Sequence, residues 1–160
     1  MLEKESLFSK IVIVAMITFF AYYYFTYVRK PNLTLDEIKI ESLSGQKIDI
    51  NDYKGKPLIV NFWASWCAPC LKELPHFIKI KEKYGEELIF LLISEEESKK
   101  IIPYQNKLDF DFVRSSIPFK SYSVNTWPTT YFYDVNGNLV NKHSGSMGLD
   151  DLQSYVDEIK

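Results

Sequence analysis

Six residues, Leu58-Ile59-Val60-Asn61-Phe62-Trp63, run almost without a polar break and end four positions ahead of a Cys67-Ala68-Pro69-Cys70 motif. A short apolar run of this kind is the signature of a strand covered on both faces, so it belongs at the centre of a sheet. After Cys67 the period changes. Leu71, Leu74, Ile78 and Tyr84 recur at helical spacings among Lys72, Glu73, Lys79 and Lys83, and Pro69 is tolerable in a first turn. Both cysteines therefore sit where a central strand hands over to a helix, which commits the chain to an α/β layout.

The flanking pattern agrees. Ile38 and Ile40, then Ile48 and Ile50, alternate with polar residues around Leu43-Ser44-Gly45-Gln46, as expected of a β-hairpin turning at the glycine. Leu88 to Ile93 reads as a second buried strand, and Glu95 to about Asn106 as a helix interrupted by Pro103. Thr129–Tyr133 and Leu139–His143 flank Asn136-Gly137, a strong hairpin signal, and Leu149–Ile159 closes the chain as an amphipathic helix. Strands alternating with helices, followed by a hairpin and a last helix, indicate a mixed central sheet.

Residues 1–30 form a separate N-terminal segment. Ile11 to Val28 is uncharged, roughly 27 Å as a helix, and ends in Tyr22, Tyr23, Tyr24, Phe25 and Tyr27, aromatics suited to a membrane–water interface. It lacks the small-residue ending of a cleavable signal, so one uncleaved transmembrane helix over about residues 11–28 is expected, with a single domain over 31–160. Lys4 and Lys10 on one side are matched by Arg29 and Lys30 on the other, and charge leaves the orientation open. Beyond residue 30 there are 15 basic and 19 acidic groups. That balance, without clustered Lys or Arg, excludes nucleic acid as a partner.

The chain has two cysteines. Cys67, at or just before a helix N-terminus, has free N–H groups and the positive end of the dipole to stabilise a thiolate, which makes it the candidate nucleophile. Cys70, three residues on, can expel a bound partner from a mixed disulfide. A zinc site would need further ligands, and His76 and His143 fit no usual spacing. Covalent haem attachment would need His directly after Cys70, where Leu71 stands. Thiol–disulfide exchange is the reading that remains, with no metal and no cofactor beyond the Cys67–Cys70 couple.

Gly55–Cys70, Glu73-Leu74-Pro75, Trp127-Pro128-Thr129-Thr130 and Asp134-Val135-Asn136-Gly137 follow one another in a familiar order from about Leu33 to the C-terminus. In these stretches the chain resembles the TlpA-like (ResA-like) family of membrane-anchored thioredoxin-fold proteins. The resemblance implies a thioredoxin-like α/β fold with an N-terminal β-hairpin extension. It also implies an extracytoplasmic (periplasmic) domain on the cytoplasmic membrane that reduces disulfides in partner proteins, often in cytochrome c maturation, and draws on an upstream membrane electron donor. Glu73 would help transfer the proton of the second thiol; as an alternative it is a solvated helix-surface residue. Pro128 would be a cis-proline packed against the cysteines, and Trp66, Trp127, Pro128 and Thr129 would meet substrate. Trp127 is larger than the residue expected there, and reads either as an exposed rim anchor or as a ring folded over Cys70. Asn61 stands where cytoplasmic thioredoxins carry a buried acid, and reads as a hydrogen-bonded residue beneath the site. A disulfide oxidase or isomerase would use the same residues in the other direction. A tethered binding module without turnover is the alternative from another class.

Overall fold

The computed structural model describes residues 2–23 and 33–160, with side chains in the first stretch described from Ser9 onward. These residues fall into two units, one built on an N-terminal helix and one spanning Leu33–Lys160.

Helix α1, Leu2–Tyr23, starts nine residues ahead of the expected span. Of the uncharged stretch Ile11–Val28, the helix as described includes Ile11–Tyr23. Among the described residues no helix is long and apolar enough to cross a membrane. Residues 24–28 of the expected span lie outside the described residues.

The second unit is a seven-stranded mixed sheet. Its strands are β1 (Ile40–Glu41), β2 (Lys47–Ile48), β3 (Leu58–Phe62), β4 (Ile89–Ser94), β5 (Asp111–Ser115), β6 (Thr129–Tyr133) and β7 (Leu139–Ser144), in the order β2-β1-β5-β4-β3-β6-β7. Strands β3, β4 and β5 run parallel, whereas β6 lies antiparallel to β3 and β7 to β6. The hairpin at the N-terminal side of this unit pairs Ile40 with Ile48 and adds to the β5 edge. It is shorter than the isoleucine pattern suggests, because Ile50 enters a 3-10 turn, Ile50–Tyr53.

The period of two along β3 divides its side chains between two apolar layers. Leu58, Val60 and Phe62 join Leu91, Ile93, Val113, Tyr131 and Tyr133 on one face, covered by Leu33, Leu35, Ile38 and Phe119. Ile59 joins Phe90, Leu92, Phe112 and Phe132 on the other. That second face is covered by helices α2 (Ala68–Tyr84) and α4 (Leu149–Ile159), through Phe77, Ile80, Leu152 and Val156. Helix α3, Ser98–Gln105, contributes Ile101. Pro103 lies inside α3 and does not interrupt it; it removes only the N–H that would have bonded the carbonyl of Lys99.

The C-terminal hairpin turns at Asn136-Gly137, where the Asp134 carboxylate accepts from the N–H groups of Asn136 and Asn138 at 2.9 and 2.8 Å. Gly137 has φ +80°, and a Cβ there would come within 2.7 Å of Leu35 Cδ1, so both the backbone and the close approach require glycine.

Candidate active site

The site lies at the carboxyl ends of β3 and β4, where Phe62 pairs with Ile93. Trp63 N–H donates to the Ile93 carbonyl at 3.0 Å, after which the chain leaves the sheet and Cys67 caps α2. Cys67 is in an extended conformation, and its Sγ accepts from Cys70 N–H at 3.2 Å. An N-cap sulfur that receives an orphan helix N–H is already placed to carry negative charge. Ala68 and Pro69 fill the first helical positions, where the missing N–H of proline costs nothing. Cys67 and Cys70 form a disulfide, with their Cα atoms 5.3 Å apart. Cys67 retains 4% of its surface and Cys70 1%, so Cys67 is the more accessible of the pair.

Glu73 follows one turn after Cys70 on the face of α2 that packs on the sheet, and it is 1% exposed. It is therefore a buried acid, and the solvated-surface alternative falls. Asn61, between Ile59 and Trp63 in sequence, shares the α2-facing side of β3 and donates its amide hydrogens to Glu73 Oε1 at 2.8 Å and Thr130 Oγ1 at 2.9 Å. Met147 N–H reaches Glu73 Oε2 at 3.4 Å. Burial pushes the Glu73 carboxyl up to about 7, against the opposing pull of the Asn61 and Met147 hydrogen bonds. A carboxyl with that pKa can both take and give a proton near neutrality.

The Trp127–Pro128 peptide is cis, and Pro128 is buried at the start of β6, with its carbonyl accepting from Gly145 N–H at 2.8 Å. Thr129 is buried too, and its hydroxyl donates to the Thr126 carbonyl at 2.7 Å, so its side chain shapes the loop and turns away from solvent. Trp66 is 67% exposed. The half-buried Trp127 ring lies 5.9 Å from Trp66 and 6.4 Å from Phe119, in neither of the two extreme placements the sequence allows. The two tryptophans form an aromatic rim beside the disulfide.

Two further acids brace this region without having been singled out in the sequence. Glu96 accepts from Ser65 N–H at 2.6 Å and from the Ser65 hydroxyl at 2.8 Å, tying down the loop that presents Cys67. Glu95 accepts from Phe119 N–H at 2.5 Å, beneath Trp127. Their position directly after the buried strand β4 was the available signal, since loops at the carboxyl ends of parallel strands build the sites of open α/β sheets. The two histidines have partners of their own: His76 Nδ1 is 3.1 Å from the Met147 carbonyl and His143 Nδ1 is 3.3 Å from the Tyr155 hydroxyl. Among the described residues no three His, Cys, Asp or Glu side chains stand together as a metal site.

The AhpC/TSA family profile matches residues 30–142, well over half of the chain. The chain belongs to the AhpC/TSA family. Within this thioredoxin-like family its relatives bear out the TlpA-like and ResA-like resemblance. The thioredoxin-like protein YneN of Bacillus subtilis is 29% identical over 128 residues, covering 76% of this chain and 75% of that protein. The thiol-disulfide oxidoreductase ResA of Geobacillus kaustophilus is 29% identical over 133 residues, covering 79% and 76%. Among solved structures, the pneumococcal exposed lipoprotein thioredoxin Etrx1 is 28% identical with a TM-score of 0.57, covering 74% of this chain and 97% of its own. StoA of B. subtilis is 27% identical at the same TM-score, covering 74% and 94%. This member of the AhpC/TSA family is a thiol-disulfide oxidoreductase with a thioredoxin-like fold.

Proposed function

We propose that the protein works as a reductase of disulfides in partner proteins on the extracytoplasmic side of a membrane, with cytochrome c maturation as the process the family resemblance implies. The observation that carries the exchange chemistry is the buried Glu73 one turn after the Cys67–Cys70 pair, an acid–base group beside the protected thiol, while the reducing direction comes from the family resemblance.

In the reduced protein, the Cys67 thiolate attacks one sulfur of a partner disulfide; a Cys67–partner bond forms and the partner's other sulfur leaves. The Cys70 thiol passes its proton to the Glu73 carboxylate, and the Cys70 thiolate attacks Cys67 Sγ. The Cys67–Cys70 bond forms, the mixed disulfide breaks, and the partner's second thiolate departs and is protonated. Two electrons have moved from this dithiol to the partner, and a dithiol donor in the membrane restores them. Trp66, Trp127, Pro128 and Thr129 line or shape the surface on which the partner segment lies.

The tether is part of this proposal. From Ile11 to Tyr23 every side chain of α1 is exposed, on all sides of the helix. A helix apolar all round needs lipid or protein around it, and the uncharged sequence continues to Val28. The description of the pneumococcal relative as an exposed lipoprotein supports the extracytoplasmic side. Sodium carbonate extraction of membranes should leave the full chain in the pellet; recovery as a shortened soluble protein overturns the tether.

Insulin reduction with a dithiol donor tests the activity, and a binding module would show no turnover. Direction is read from the reduction potential, expected nearer the roughly −270 mV of thioredoxin than the roughly −120 mV of a strong oxidant; the reverse makes the protein an oxidase.

A further inference from the structure

The two oxygens of Glu73 are not equivalent. Asn61 and Thr130 are directly opposed in the β3–β6 ladder, so strand register brings their side chains together and the hydrogen bond between them holds the Asn61 amide. One of its hydrogens goes to Thr130 Oγ1 and the other to Glu73 Oε1, both within 2.9 Å. An oxygen that bears a proton is a poor acceptor, so a carboxyl hydrogen on Oε1 would forfeit a short, fully buried bond. Among the described residues Oε2 accepts only the long 3.4 Å contact from Met147 N–H, and it gives up little on protonation.

We propose that Asn61 is a positioning residue that keeps Oε1 of Glu73 as the permanent acceptor and leaves Oε2 as the oxygen that gains and loses the proton. This rests on Glu73 being the proton carrier of the preceding section. In that step the Sγ–H bond of Cys70 breaks and the Oε2–H bond of Glu73 forms; no electrons change hands and nothing beyond these two groups is consumed. Asn61 itself moves no proton. It stabilises the carboxylate through Oε1 and thereby sets the pH at which Glu73 becomes a base.

The test is the pH profile of single-turnover reduction of a small disulfide by the reduced full-length chain, from about pH 5 to 9. The native profile and that of Glu73→Gln define the limb that belongs to Glu73. Asn61→Leu removes the donor, so that limb should move up by about one pH unit, a tenfold change in the ionisation constant. In a Glu73→Gln background the same substitution should move nothing. Thr130→Val, which keeps the Asn61–Glu73 bond and loosens the amide, should give a smaller shift in the same direction. Asn61→Ser serves for the comparison if Asn61→Leu does not fold. A shift of equal size with and without Glu73, or no shift with either Asn61 variant, overturns the inference while leaving Glu73 as the carrier. A Glu73→Gln profile that superimposes on the native one removes that carrier and the inference with it.

Discussion

The burial of Glu73 makes the stability of the oxidised protein depend on pH in a defined direction. Its carboxyl moves from 4.5 to about 7 on folding, because burial disfavours the charged form. Between these values the unfolded chain has released the proton and the folded chain still holds it, so the unfolded state binds fewer protons and stability falls as pH rises. The contribution is fully present below about 4.5 and is lost as pH rises through about 7, amounting to about 3 kcal/mol. Glu73→Gln keeps the shape and the acceptor for Asn61 but has nothing to titrate. It places an amide against Met147 N–H, which adds a penalty that does not vary with pH. The variant should therefore gain on the native protein by about 3 kcal/mol between pH 4.5 and 8. With a urea slope of roughly 1–3 kcal/mol per M, that is a relative midpoint shift of about 1–3 M. Urea titrations of both oxidised proteins at several pH values measure it. Parallel pH dependences would show that Glu73 is not held in its neutral form by the fold, and the argument from desolvation would fail.

Three other perturbations address separate parts of the structure. Trp127→Ala removes a half-buried ring between Trp66 and Phe119; it should slow reduction of a protein substrate about 10-fold or more while sparing a small disulfide, and equal losses with a large fall in stability would make the ring structural. Glu96→Ala strips Ser65 of two hydrogen bonds and should cost about 1–3 kcal/mol in urea unfolding, with slower exchange toward protein and small disulfides alike. Gly137→Ala meets both a positive φ and Leu35, and should cost more than about 1 kcal/mol by the same measurement; no loss would mean the turn can rearrange.

The strand-to-helix hand-over at Cys67 was legible because it joins two strong signals, an apolar run broken only by Asn61 and a change from no period to a helical one. The hairpin at Asn136-Gly137 was legible for the same kind of reason: a positive-φ turn has few sequence solutions. Strand β5 left no such trace. Asp111 and Arg114 flank Phe112 and Val113 and leave an apolar run of two, and the strand exists because β4 and β1 supply ladders on both sides. Helix α1 begins at Leu2, ahead of the apolar stretch that Lys10 bounds, because Glu3, Lys4, Glu5 and Lys10 all suit helical backbone. At the site, helical spacing put Glu73 beside Cys70, but its burial depends on Asn61, Thr130 and the Met147 loop, which are 12, 57 and 74 residues away in sequence. The place of Glu96 after β4 pointed to the site's end of the sheet, but its role did not show, as its partner Ser65 is 31 residues off and an acid after a strand is ordinarily solvated.

The central claim is that Cys67 attacks and Cys70 resolves. Cys70→Ser in the full chain should accumulate mixed disulfides with partner proteins, seen as thiol-sensitive high-mass bands on non-reducing gels, whereas Cys67→Ser should form none. Adducts on Cys67→Ser and none on Cys70→Ser would contradict the assignment of the two thiols and the mechanism built on it.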